Sequence, residues 1–349
     1  MNDPSLLYVS DDPEFFPDHG VLFRAPLKGR GTVARLLFDH VNSTTAPMRV
    51  LVGIANLSSS DGTVDVLGAT AGPFAAHGAL DTFTHVGHLA TIGFLRAHQL
   101  GHGGGVATRT IRGNGETLVL TNFPPLPAGG DPRPGSKRGV ACVAGIFDIG
   151  VRDDNAYEVR VLACGPQHGM EVFNSIGDSN PDGFFRRGVF AIPPAAGAPQ
   201  QVEIDGGAVR IGDDKIASEV YQRAKTDPYR TLPNKKRNPR PGHTGEFGIL
   251  KRLVFTIPAG EAVRLTQSFR GGSATGSYVI DGALVLESDL VRDNAVNDVV
   301  LLAAPDEKDR PVEVATMTDI NSMEPVSLAV VSDTSGDANG TLGKTISIA

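Results

Sequence analysis

The sequence predicts an all-β protein: two antiparallel β-sandwich domains, Ig-like or jelly-roll-like, with one short helix inserted in the first. Three observations carry this reading. Short runs rich in Val, Leu, Ile and Phe alternate with Gly, Pro, Asn and Asp clusters along the chain. The 349 residues hold 42 glycines and 24 prolines, roughly 19% against a usual ~12%. Strands alternating with long helices, the pattern of an α/β enzyme, are missing. At ~150 residues per domain the length suits two domains.

Strands are expected in order at Val33 to Phe38, Met48 to Ile54, Thr63 to Leu67, Glu116 to Leu120, Val140 to Ile149 and Glu158 to Leu162. A second series follows at Val202 to Ile204, Ile249 to Ile257, Ala262 to Thr266, Tyr278 to Leu286, Val299 to Leu302, Val312 to Met317 and Val326 to Val331. Their spacing and polar turns read as stacked antiparallel sheets.

One segment follows a different period. From Asp81 to Leu100, Val86, Leu89, Ala90, Gly93, Ala97 and Leu100 share one face at 3.6 residues per turn. A helix is expected over about 82–100, stopped by Gly101. Its small apolar face suits close packing onto a sheet, although Gly87 and Gly93 each cost up to ~1 kcal/mol in a helix interior.

A weak repeat sets the domain division. Val151 to Ala163 resembles Val291 to Ala303, and Gly115 to Thr121 resembles Gly260 to Thr266, in the same order. The expected N-terminal sandwich spans 15–167, a linker 168–183, and the C-terminal sandwich 184–335, with 336–349 as a tail or edge strand. The stretch from Thr226 to Gly245 holds Lys235, Lys236, Arg237 and Arg240 among Pro228, Pro233, Pro239 and Pro241. So many prolines forbid a helix or ladder, and the segment reads as a basic exposed loop.

Charge and hydropathy exclude several classes. The net charge of −7 is spread without a basic tail, which speaks against a general nucleic-acid binder. No apolar run reaches the ~18 residues of a membrane span. Met1 to Ser5 has no basic segment leading into an apolar one, so no signal peptide is expected.

The only cysteines, Cys142 and Cys164, flank an expected hairpin with its turn at Arg152 to Asn155. Opposed β-carbons lie ~4.5–5.5 Å apart, near disulfide spacing. A disulfide and two buried thiols are the alternatives.

Candidate chemistry is sparse. His85, His88, His98 and His102 crowd one segment, and i, i+3 or i, i+4 pairs can chelate a metal. They fall opposite the helix's apolar face, where a solvated or interface surface belongs. His102-Gly-Gly-Gly105 looks like an esterase oxyanion loop, but the Gly-x-Ser-x-Gly elbow it needs is absent. Gly177-Asp-Ser-Asn180 lacks a strand leading into it. The most specific local match is Asp178-Ser-Asn-Pro-Asp-Gly183. Asp178, Asn180 and Asp182, with the carbonyl of Phe184, alternate as Ca²⁺ ligands do around a Gly turn. Val189 stands where the bidentate Glu would be, and an Asx turn explains the same residues. Calcium is therefore the one cofactor with a candidate site.

The order of motifs also resembles a family. Gly20-Val-Leu-Phe-Arg24, followed by Val33-Ala-Arg-Leu-Leu-Phe-Asp-His-Val-Asn42, resembles the opening of a poorly characterised group of secreted bacterial β-sandwich proteins. Some members carry the stalk-like N-terminal domain of copper amine oxidases. The resemblance continues through Ala71-Gly-Pro73, Val86-Gly87, Glu246-Phe-Gly-Ile-Leu250 and Phe269-Arg-Gly-Gly272, touching most of Gly20 to Val331. It implies an extracellular or envelope-associated protein and no catalytic residues.

The leading expectation is a non-enzymatic extracellular or cell-surface protein acting by binding or self-assembly. Edge strands offer a route to assembly, with Thr345 to Ala349 as a free strand. One rival is a glycan- or polymer-active hydrolase with paired carboxylates across an interdomain cleft, drawn from Asp148, Asp153, Asp154, Glu158 and Asp182. Another is a carbohydrate- or surface-binding module, although the chain has no Trp and 5 Tyr to supply stacking faces.

Overall fold

The computed structural model describes residues 2–10, 15–16, 18–76, 79–99, 105–121, 123–129, 140–174, 188–192, 196–211, 222–223, 248–269, 273–287, 291–292, 296–319 and 326–333. Its described residues form two β-sandwiches and one α-helix, Ala79–Gln99.

The first sandwich sets an eight-stranded sheet against a four-stranded one. The large sheet runs in the order Gln222–Arg223, Gly188–Ala191, Leu6–Ser10, Val33–Asn42, Val140–Val151, Gly62–Ala76 and Ala107–Ile111, with Phe15–Phe16 also pairing with Val33–Asn42. The small sheet runs Gly20–Lys28, Ala156–Cys164, Arg49–Asn56 and Thr117–Val119. Pairing is antiparallel except where Leu6–Ser10 and Phe15–Phe16 lie parallel to Val33–Asn42, and Pro199–Gln201 parallel to Leu250–Ile257.

Side-chain period separates the two sheets. Gly20–Lys28 ends in strict alternation, buried then exposed, because its outer face meets solvent. Val33–Asn42 is buried at every position, because both faces of the large sheet are covered. One face packs the sandwich core of Tyr8, Phe23, Phe38, Val50, Phe147 and Val159. There Phe38 and Phe147 stack with centroids 6.3 Å apart, and Ser10 Oγ lies 2.8 Å from His40 Nε2. The other face carries Leu7, Leu37, Cys142, Ala144 and Ile146 against the helix.

The second sandwich pairs a five-stranded sheet (Pro199–Gln201, Leu250–Ile257, Arg310–Thr318, Gly276–Ile280, Leu284–Glu287) with a four-stranded sheet (Val209–Ile211, Val326–Ser332, Ala262–Phe269, Val296–Ala303). Phe255, Leu265, Tyr278, Val314 and Leu328 are in its core. The outer face of the five-stranded sheet presents Val279 and Met317 to the same apolar cluster that holds Val86, Ala90 and Phe94 of the helix. The helix is therefore a filling between two sheets. Gly93 lets the helix lie close to the large sheet, since a β-carbon would stand 3.0 Å from that of Ala69.

Several expectations change. The helix is not a one-sided cover: His88 and Thr91, placed on its polar face, are buried, because the second sandwich covers that face. Strands that follow the expected linker at 168–183 divide between the two sandwiches. Gly188–Ala191 and Gln222–Arg223 still belong to the first sheet, while Pro199–Gln201 and Val209–Ile211 belong to the second sandwich. The sequence repeat does not map onto equivalent places. Thr117–Val119 and Ala156–Cys164 are separated by Arg49–Asn56, whereas Ala262–Phe269 and Val296–Ala303 are direct neighbours.

The hairpin expected to join the cysteines is also absent. Val140–Val151 and Ala156–Cys164 go to opposite sheets of the first sandwich. Cys142 faces the helix, while Cys164 lies on the outer face of the small sheet beside Val172 and Phe173. The sandwich core lies between them, and both are buried thiols outside any disulfide.

Candidate functional site in the seam between the sandwiches

Two buried polar nodes hold the seam. At the first, Arg35 from the large sheet donates through Nε and Nη2 to the two carboxylate oxygens of Asp148, both at 2.7 Å. Its Nη1 donates to the carbonyl of Gly248 at 2.9 Å. Its guanidinium also lies 4.8 Å from the ring centroid of Phe94 on the helix. One side chain, 2% exposed, thus joins the first sheet, the helix and the segment entering the second sandwich. A planar fork suits that task, because it meets a carboxylate bidentately and keeps a face for the ring.

Gly248 makes the entry possible. Its φ is +79°, and a β-carbon there would stand 2.9 Å from Leu7 Cδ1 and 3.3 Å from Leu37 Cδ1. Only glycine meets both the left-handed backbone and the contact.

The second node gathers donors around one carboxylate. Asp319, fully buried, accepts from Ser277 Oγ at 2.7 Å and Thr275 Oγ1 at 2.6 Å. Nδ1 of His88 lies 2.7 Å from its Oδ2. With two hydroxyls already donating to the carboxylate, the imidazole presents its Nδ1–H. This Ser, His and Asp do not form a nucleophilic relay. The hydroxyl bonds the carboxylate directly, and its 3.3 Å approach is to the imidazole nitrogen that faces Asp319.

Between Arg35 and the second sandwich lies a cavity of about 330 Å³. Arg35, Arg252 and Asp3 supply its charges, and Ile192, Ile249 and Leu250 its apolar wall. Its size is at the small end of ligand pockets. Arg252 makes no hydrogen bond among the described residues; its nearest anion is Glu313 at 3.9 Å. His98 of the helix feels the same charges. Burial first, then Arg35 and Arg252, pull its imidazole below the usual value, while Asp148 and Asp3 oppose them.

The sequence candidates are dispersed. Asp148 is in the first node. Asp153 accepts from Tyr157 Oη and the Thr63 amide in a turn. Asp154 is exposed beside Arg30, and Glu158 pairs with Arg160 and Arg24. No two of these face each other across a cleft. His85 packs against Phe74, His98 against Phe94 and His88 on Asp319, so the histidines do not converge. Asp178, Asn180, Asp182, Phe184 and His102 lie outside the described residues, as do the basic loop 226–245 and the tail 336–349. Among the described residues no group of three His, Cys, Asp or Glu could hold a metal, and no helix is long and apolar enough to cross a membrane.

Sequence reasoning did not single out Arg35, Arg252, Asp3 or Asp319. Arg35 and Asp148 did carry a signal: each is a charge set among apolar neighbours, Val33-Ala-Arg-Leu-Leu-Phe and Ile146-Phe-Asp-Ile, although Asp39 shares the first strand. Two such charges on buried strands require each other. Asp319 has no such mark, because its partners come from two distant segments, the helix and the stretch around Thr275 and Ser277.

No family model matches the chain, and no curated protein matches its sequence. Among solved structures, the chain is similar to the N-terminal CBM22-1–CBM22-2 tandem domain of Paenibacillus barcinonensis Xyn10C. Identity is 7%, coverage 84% of this chain and 81% of that one, and the TM-score 0.19. Procruciferin, an 11S globulin of Brassica napus, matches at 9% identity over 88% and 76% of the two chains, with a TM-score of 0.17. Vicilin of Solanum lycopersicum (tomato) matches at 9% identity over 89% and 75%, with a TM-score of 0.15. Superpositions of this quality carry no functional argument.

Proposed function

We propose that this protein works by binding a small ligand at the seam of its two sandwiches rather than by transforming one. The observation that carries the reading is the cavity of about 330 Å³, where a carboxylate, an apolar wall and an arginine that makes no hydrogen bond among the described residues meet. Concave, mostly apolar pockets with a few placed polar groups are the usual form of a ligand site. The hydrolase reading draws less support, since Asp148, Asp153 and Glu158 are each engaged with separate structural partners. A stacked sugar ranks second, because the described cavity wall holds no aromatic ring. The family resemblance supports a place outside the cell or on its envelope.

Ligand screening by thermal shift on the full chain tests the reading. A ligand bound only by the folded state raises its stability, by ~2.7 kcal/mol at about one hundred times Kd. Ser5→Trp, which places a bulky ring at the cavity rim, should abolish the response. A response that survives this substitution, or a silent screen, refutes the seam as the binding site.

Self-association is a second mode of binding, favoured by one observation. Val296, 68% exposed, opens the edge strand Val296–Ala303. Sedimentation that stays monomeric as concentration rises would dismiss it.

A further inference from the structure

We propose that the seam cavity takes a small apolar amino acid, its carboxylate held by Arg252, its ammonium by Asp3 and its side chain by Ile192, Ile249 and Leu250. The inference deepens the binding reading above and rests on it. It follows from asking which ligand would engage the charged cavity groups that make no hydrogen bond among the described residues.

Arg35 is not that group, because Asp148 and the Gly248 carbonyl already occupy its fork. It serves as a fixed wall with its charge neutralised. Arg252 is different: it lines the cavity and makes no hydrogen bond among the described residues. A guanidinium in a partly closed site favours a planar, bidentate anion, and a carboxylate meets that geometry. A simple carboxylate would leave Asp3 facing it with like charge. Asp3 also lines the cavity and makes no hydrogen bond among the described residues. A ligand that brings a cation next to its carboxylate removes this conflict.

Arg252 and Asp3 both act on His98 with opposite sign, which places the two charges around one region of the seam. The remaining wall is aliphatic. Its one hydroxyl, that of Ser5, is turned to the Val33 carbonyl at 3.4 Å, and the aliphatic surface rewards burial by ~25 cal/mol per Å². The absence of an aromatic ring from the described wall sets this zwitterion ahead of a sugar.

Calorimetric titration of the full chain tests the assignment with three probes: L-leucine, 4-methylpentanoate and 3-methylbutylamine. Leucine should bind saturably, and each half-molecule at least tenfold more weakly, a loss of about 1.4 kcal/mol. Arg252→Gln should weaken both leucine and 4-methylpentanoate. Asp3→Asn should weaken leucine while leaving 4-methylpentanoate unchanged or improved. Both residues are at the cavity surface, so unchanged melting curves of the variants separate lost binding from lost folding. Leucine that fails to bind at millimolar concentration, or that binds Arg252→Gln equally well, overturns the assignment. A hit from the wider screen that Ser5→Trp abolishes, while leucine stays silent, would overturn the ligand class and leave the seam reading standing.

Discussion

Replacing Asp319 by alanine should be among the most damaging single changes in this chain. The carboxylate is fully buried and accepts from Ser277, Thr275 and His88, all within 2.7 Å. A hydrogen bond with one charged partner contributes about 1.5–3 kcal/mol, and the three here act on one group, so they do not add. Removing one side of a buried polar pair costs about 3–5 kcal/mol. We take that range for Asp319→Ala, because three buried donors then lose their acceptor. Asp319→Asn should cost less, about 1–2 kcal/mol. Its amide oxygen can still accept from Thr275 and His88, and the Ser277 hydroxyl can turn to accept from the amide nitrogen. The chain has no Trp, so urea unfolding is best followed by tyrosine fluorescence together with circular dichroism. His88 comes from the helix, while Asp319, Thr275 and Ser277 belong to the second sandwich. The cycle His88→Ala, Asp319→Ala should therefore show coupling above about 0.5 kcal/mol. A cost below about 1 kcal/mol for Asp319→Ala, or additivity of the two changes, would refute the view that this node joins the helix to the second sandwich.

Three further outcomes are expected. Gly248→Ala should lower stability by at least about 1–2 kcal/mol, since φ is +79° and the new β-carbon meets Leu7 at 2.9 Å; an unshifted melting curve would contradict the packing described. His98 should titrate below 6.5 in the folded protein by NMR, because burial, Arg35 and Arg252 disfavour its proton. Its unfolded form binds the proton first as pH falls, so stability contributed by this group is lost from pH 6.5 down to the folded pKa, and Arg252→Gln should move that pKa upward. Cys142 and Cys164 should resist alkylation in the native state, as burial raises both thiols, Cys164 to about 11, and both should react once the unreduced chain is unfolded. An intact mass two units low would instead reveal a disulfide.

The sequence by itself determined the local half of this fold. Alternating and continuous apolar runs place strands such as Val33–Asn42 and Arg310–Thr318 because side-chain period depends only on neighbours in the chain. The 3.6-residue period over Val86 to Ala97 marked the helix for the same reason. The charges of Arg35 and Asp148 are legible among apolar neighbours, but Asp39 shares the strand of Arg35, and their pairing is set by register. Only the tertiary structure decided which sheet each strand joins. Val140–Val151 and Ala156–Cys164 follow one another through a four-residue turn yet go to opposite sheets, and that choice alone parts the two cysteines. It also decided that the polar face of the helix is an interface. Burial there comes from strands such as Gly276–Ile280 and Arg310–Thr318, far along the chain from Gln99, and no local pattern records it. The seam follows the same rule: Asp3, Arg35, Ile192 and Arg252 meet only because two sheets close on one helix, and spacing along the chain carries no trace of such a meeting.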